Sequence, residues 1–159
     1  MIEEGKMAPD FELETDTGET VRLSDFRGKP VILYFYPRDN TPGCTKEACD
    51  IRNSWSKFER RGVVVLGISP DDPASHTRFK TKYKLPFTLL ADTDHDVAKL
   101  YGTWLPKRMA GKSFLGVIRS TFLIDAEGIV VKVWPKVDPA KHAKWVLAEL
   151  PEPSPAAST

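Results

Sequence analysis

Pro30-Val31-Ile32-Leu33-Tyr34-Phe35-Tyr36 is a continuous apolar run, rich in β-branched and aromatic residues. A run of that length with no polar break suits a strand covered on both faces. After a loop over residues 37–43, Cys44, Ala48, Ile51, Trp55 and Phe58 recur at spacings of four, three, four and three, the stripe of one helix with a buried face. Gly62 stops that helix, and Val63-Val64-Val65-Leu66-Gly67-Ile68 reads as a second covered strand. Strand, helix and strand of these lengths imply parallel neighbours joined by a right-handed crossover, so the chain is an α/β protein.

Working outward, residues 9–13 and 21–23 flank the turn-forming Asp16-Thr17-Gly18-Glu19, which gives an N-terminal β-hairpin. Pro70-Asp71-Asp72-Pro73 opens a helix to about Tyr83, residues 87–90 form a short strand, and Thr93-Asp94 caps a helix through Leu100. Residues 101–117 carry Gly102, Pro106, Gly111 and Gly116, too irregular for one element, with Trp104, Met109 and Phe114 as candidate pocket walls. Residues 119–124 and 129–134 around Asp125-Ala126-Glu127-Gly128 read as an antiparallel hairpin, and residues 139–150 as a last helix. One domain over residues 1–150 is expected, followed by a disordered tail over the Pro-rich residues 151–159.

The composition excludes several classes of function. The chain has 159 residues, 41% of them hydrophobic, enough for a sizeable core. Lys+Arg 23 against Asp+Glu 22 leaves a net charge of +1, so no global field gathers nucleic acid or anionic lipid. The longest apolar runs are far short of the roughly 20 residues of a membrane-spanning helix. Met1-Ile2-Glu3-Glu4-Gly5-Lys6 lacks the hydrophobic region of a secretory signal, so a reducing cytoplasmic setting is expected. Two cysteines, Cys44 and Cys49, are too few for the disulfide framework of a small secreted fold.

Cys44 opens a helix directly after a covered strand, where unpaired backbone N–H groups and the helix dipole favour an anion. An ordinary thiol is only about 3% ionised at pH 7, and making it about nine-tenths ionised takes roughly 3.4 kcal/mol. A helix end supplies about 0.3 to 1 kcal/mol, up to ~2 when partly buried, so a cation is needed as well. Arg119 is the candidate. The alternative is that Cys44 is simply a small core residue on an apolar stripe. The pair is not a Cys-x-x-Cys redox motif, because four residues separate the two. His76, His95 and His142 are scattered without metal-ligand spacing, so no metal site is expected. On a regular helix the two cysteines lie about 140° apart around the axis, with Cα atoms about 8.6 Å apart. A disulfide needs less than about 7 Å, so bonding them requires the helix to unwind. Cys49 is otherwise a partly exposed helix residue.

Pro37-x-x-x-Thr41-x-x-Cys44 resembles the active-site motif of the peroxiredoxin family. Residues 39–45 with Glu47-Ala48-Cys49 are similar to its bacterioferritin comigratory protein or peroxiredoxin Q subgroup, as are residues 67–69, 87–92, 111–112 and 119–125 in order and spacing. The resemblance covers residues 6–150. Arg38 and Phe114 depart from the Lys and Tyr common in the subgroup. The resemblance implies a thioredoxin-like fold with a central mixed sheet flanked by helices, and a thiol peroxidase with no metal or organic cofactor. It also implies roles: Cys44 as peroxidatic thiol, Thr41 and Arg119 as hydrogen-bonding groups for the peroxide, Pro37 as a shaping residue of the loop, and Cys49 as resolving thiol in an intramolecular disulfide. The implied partners are a hydroperoxide substrate and a thioredoxin-type donor, with the chain acting as a monomer. Thr41 as a mere helix cap, Arg119 as a surface strand residue, and Cys44 as a redox sensor of a binding module or as part of a thiol-disulfide oxidoreductase are the competing readings.

Overall fold

The computed structural model describes residues 1–150, so the expected disorder of 151–159 lies outside the described residues. The apolar run over residues 30–36 contains β3 (Val31–Phe35), and all five residues of that strand are buried. Its side chains alternate between two cores. Ile32, Tyr34 and Tyr36 join one cluster, while Val31, Leu33 and Phe35 join the other. β4 (Val64–Ser69) pairs with β3 in parallel, and the intervening helical crossover packs on the first of these faces.

The remaining strands are β1 (Glu12–Thr15), β2 (Thr20–Arg22), β5 (Thr88–Ala91), β8 (Ser120–Ile124) and β9 (Val130–Trp134). Together they make a seven-stranded mixed sheet in the order β2-β1-β5-β4-β3-β8-β9. β3, β4 and β5 are parallel, and the strands outside them run antiparallel to their neighbours. The N-terminal hairpin is present and extends the sheet through Glu14↔Ala91 and Thr15↔Leu90.

The helices are α1 (Pro42–Asn53), α2 (Trp55–Arg60), α3 (Pro73–Tyr83), α4 (Asp96–Tyr101) and α5 (His142–Glu149). Residues of α1, α2, α3 and α5 enter the first core, and Val97, Ala98 and Tyr101 of α4 enter the second, so the sheet is covered on both faces. This is the thioredoxin-like layering, with helices against both sides of a mixed sheet.

Four local expectations need correction. The single helix through Phe58 breaks at Ser54, whose φ of −105° and ψ of 14° leave the helical region. Beyond the break, Trp55 stacks on Phe58 and meets Phe87, which sets α2 by aromatic packing. α4 is capped by Asp92, whose carboxylate accepts from Val97 and Ala98 N–H at 3.1 and 2.9 Å, and not by Thr93 or Asp94. α5 starts at His142, three residues later than expected. The segment read as irregular is an antiparallel pair, β6 (Trp104–Met109) and β7 (Lys112–Val117). Its turn residues Ala110 and Gly111 both have positive φ, the backbone that a two-residue hairpin turn requires, and Ala at the first position hid the turn signal.

Gly67, in the middle of β4, has no room for a side chain. A Cβ there would stand 2.9 Å from the Tyr34 ring carbon and hydroxyl and 3.0 Å from Leu89. Gly67→Ala should therefore destabilise the fold by about 1 to 3 kcal/mol in urea unfolding, with little change in the slope of the transition.

Candidate active site

The end of β3 and the loop that follows deliver Thr41 to the N-cap of α1 and Cys44 to its first turn. Pro42 at the first helical position suits a helix start, because its missing N–H would have had no intrahelical partner. The first helical bond runs from Thr45 N–H to Thr41 O, at 2.8 Å. The N–H groups of Gly43 and Cys44 stand ahead of the ladder, at the positive end of the helix.

Cys44 is a free thiol with 2% of its surface exposed. Arg119, in the bend between β7 and β8, sends Nη2 to within 3.3 Å of Cys44 Sγ and donates from Nη1 to Glu47 Oε1 at 2.7 Å. It stands one residue ahead of the strand on which it was expected, with its side chain turned inward. Burial disfavours the guanidinium charge, but Glu47 and the Cys44 sulfur outweigh that and raise its pKa above the ordinary value. Gly43 permits this approach, since a Cβ there would sit 3.1 Å from Nη2.

Two groups of this cluster escaped the sequence reading. Glu47 is fully buried on the same face of α1 as Cys44, three residues on, and a carboxylate on an apolar stripe was a signal available to spacing alone. His142, at the start of α5, brings Nδ1 to 2.9 Å from Glu47 Oε2, close in distance but poorly aligned for a hydrogen bond. Its Nε2 is 2.7 Å from Thr121 Oγ1. Nothing in the local sequence could connect residues so far apart in the chain. Tyr34 lies beside them, and burial, then the charges of Glu47 and Cys44, push its phenol far above the ordinary value, so it stays neutral.

Thr41 does not cap α1 through its side chain. Its hydroxyl donates instead to Arg38 O at 2.9 Å, which leaves its lone pairs free to accept. Pro37 is half-buried and lines a cavity of about 520 Å³ with Arg38, Trp104, Lys107, Phe114 and Val117. The β6–β7 hairpin thus forms one wall beside the loop. Lys107 donates from Nζ to Val117 O at 2.9 Å, and burial, then Arg119, lower its pKa. Cys49 is a free, half-buried thiol within the continuous helix α1, and the structure does not bring it to Cys44. Among the described residues no helix is long and apolar enough to cross a membrane.

A buried thiol at a helix N-terminus, beside a guanidinium beyond the carboxyl end of β3 in a thioredoxin-like sheet, has the setting of a cysteine-dependent enzyme. Residues 5–133 match the AhpC/TSA family, and the chain belongs to that family as a peroxiredoxin, a thiol peroxidase. Peroxiredoxin Bcp of Bacillus subtilis strain 168 is 49% identical over 153 residues, covering 96% of this chain and 98% of that protein. The crystal structure of a Xylella fastidiosa PrxQ cysteine-to-serine mutant matches with a TM-score of 0.88 at 31% identity, covering 94% of this chain and 95% of the other. A Xanthomonas campestris bacterioferritin comigratory protein, described for its alkyl peroxide reduction, matches at 0.82 and 38%, covering 87% and 88%.

Glu47 is the counter-charge that keeps Arg119 aimed at the sulfur. Glu47→Gln keeps the volume and removes the charge, so it should lower the rate of Cys44 oxidation by peroxide by about tenfold or more, as expected for loss of a charge-assisted hydrogen bond. Stopped-flow tryptophan fluorescence would read this.

Proposed function

We propose that this chain reduces hydroperoxides by a two-cysteine cycle in which Cys44 attacks and Cys49 resolves. The observation that carries the reading is Arg119 Nη2 at 3.3 Å from a buried sulfur at a helix N-terminus. The Cys44 thiolate attacks one peroxide oxygen in line, the O–O bond breaks, and the leaving alkoxide or hydroxide takes up a proton. Charge develops on that leaving oxygen, and donors already in place stabilise it without reorganising. Arg119 and the N–H groups of Gly43 and Cys44 are those donors. Thr41, with its proton committed to Arg38 O, accepts from the hydroxyl of the peroxide. Pro37 keeps water from that side of the pocket.

The product is a sulfenic acid on Cys44. Condensation with the Cys49 thiol forms a disulfide and releases water, which requires the first two turns of α1 to unwind. A dithiol donor of thioredoxin type then exchanges with the disulfide and restores both thiols. Both cysteines sit in one chain, so a monomer completes the cycle, and the need for a reduced donor agrees with a cytoplasmic setting. Support for the chemistry comes from the peroxiredoxin relatives, and support for the pairing from the fact that the chain holds no third cysteine.

Cys44→Ser should abolish peroxide consumption. Cys49→Ser should keep the first oxidation of Cys44 and lose thioredoxin-driven turnover, as followed by coupled NADPH consumption. One equivalent of peroxide on the wild type should remove two hydrogens and leave a Cys44–Cys49 link in peptide mass spectrometry. Full turnover by Cys49→Ser would refute the resolving role.

A further inference from the structure

A second buried polar cluster lies beneath the 37–41 loop, apart from the Glu47–His142 pair and unused by the chemistry above. The Asp39 carboxylate, 7% exposed, accepts from Tyr36 OH at 2.6 Å and from Ser75 Oγ at 2.9 Å. His76, on α3 and fully buried, places Nδ1 at 2.7 Å from Asp39 Oδ2 and Nε2 at 2.8 Å from Leu90 O. A carbonyl oxygen only accepts, so Nε2 carries a hydrogen. With the shared proton of the 2.7 Å contact on Nδ1, the ring is an imidazolium and the pair is ionic. Burial acts against the charge on His76, but Asp39, the Leu90 carbonyl and Asp71 outweigh it and raise its pKa above the ordinary imidazole value. Asp39, Asp71 and His76 hold ligand-type atoms within 4.8 Å of one another, yet the Asp39 and His76 atoms are already committed to these partners.

The same cluster ties down the loop. Asp39 N–H donates to Asp71 Oδ2 at 2.7 Å, which also accepts from Ser69 Oγ at 2.6 Å. Asn40 follows in the left-handed region with φ of +59°, a conformation that costs energy outside glycine, and its side-chain oxygen accepts from Tyr83 OH at 3.0 Å. Thr41 comes next. Ser75, His76 and Tyr83 of α3 thus grip the loop immediately ahead of the residue that meets the peroxide.

We propose that the buried His76–Asp39 ion pair is a positioning device for peroxide reduction, holding the loop so that the Thr41 hydroxyl stays on Arg38 O with its lone pairs open to the substrate. This rests on the peroxidase reading of Cys44. Neither residue touches the sulfur or Arg119, so breaking the pair should impair the reaction with peroxide and spare the reactivity of the thiol toward other electrophiles.

The test uses the Cys49→Ser background, so that Cys44 is the only thiol. The rate of Cys44 oxidation by hydrogen peroxide and its rate of alkylation by iodoacetamide are measured in His76→Gln and Asp39→Asn. Each should lower the peroxide rate by about tenfold while changing alkylation by less than about twofold, the size expected for a charge-assisted bond acting through Thr41 alone. The double variant should be no worse than the poorer single one, because the two residues act as a unit. Folded variants with an unchanged peroxide rate, or with both rates falling together, would overturn the proposal. Wild type reacting with peroxide no faster than a free thiol would overturn the peroxidase reading along with it.

A second measurement reads the charge. The groups facing His76 are Asp39 from the loop, Tyr36 just after β3, Asp71 and Ser75 ahead of and within α3, and the Leu90 carbonyl of β5. Its folded pKa lies above the ordinary 6.5, so the stability it contributes is full below that pH and lost as pH rises through the raised value. The melting-temperature gap between wild type and His76→Gln should narrow across that window. A gap independent of pH would overturn the ionic form of the pair.

Discussion

A carboxylate with no exposed surface, Glu47, stands one helical turn from the thiol, and the geometry of the site depends on how that charge is answered. Burying an ionised carboxylate costs several kcal/mol unless a cation and hydrogen bonds compensate it closely. Arg119 answers at 2.7 Å, and the answer fixes where its second nitrogen goes: 3.3 Å from Cys44 Sγ. The guanidinium is planar and rigid, so one pairing aims the other. The sequence from 113 to 120 then has to bring Arg119 to the mouth of α1, which is what the return of β7 into β8 accomplishes. Gly43 leaves room for the approach, and His142 closes the far side of the carboxylate.

The covered strands and their crossover were legible because continuous apolar runs of β3 and β4 admit one placement in an α/β layer, and because Cys44, Ala48 and Ile51 fall on one helical face. The motif residues Pro37, Thr41, Cys44 and Arg119 were legible from resemblance. What stayed hidden has physical reasons. The β6–β7 hairpin turns on Ala110 with a left-handed backbone, which alanine does not advertise. The break at Ser54 stayed hidden because the apolar stripe Ile51, Trp55 and Phe58 keeps helical spacing across it, and beyond it Trp55 stacks on Phe58 and meets Phe87. Histidines without ligand spacing look idle in a sequence, yet His76 and His142 are both buried beside carboxylates contributed by distant segments.

The break at Ser54 bears on the chemistry. Regular helical geometry holds Cα atoms five residues apart at about 8.6 Å, beyond disulfide reach, so a Cys44–Cys49 bond demands the loss of helical turns. A helix continuous through Phe58 would carry that disturbance into the aromatic contacts of the first core. Because α1 ends at Asn53 and α2 restarts at Trp55, the disturbance has a natural boundary. At the other end, the Asp39 anchor and the Asn40 side chain are held by α3, which has no part in the unwinding. Between those limits lie Cys44, Glu47 and Ala48, and in the proposed cycle their opening would part Glu47 from Arg119 and carry the oxidised sulfur away from the same guanidinium. On that reading the Arg119–Glu47 contact would re-form only when the reduced helix closes, which would tie the aim of the guanidinium at Cys44 to the redox state of the helix.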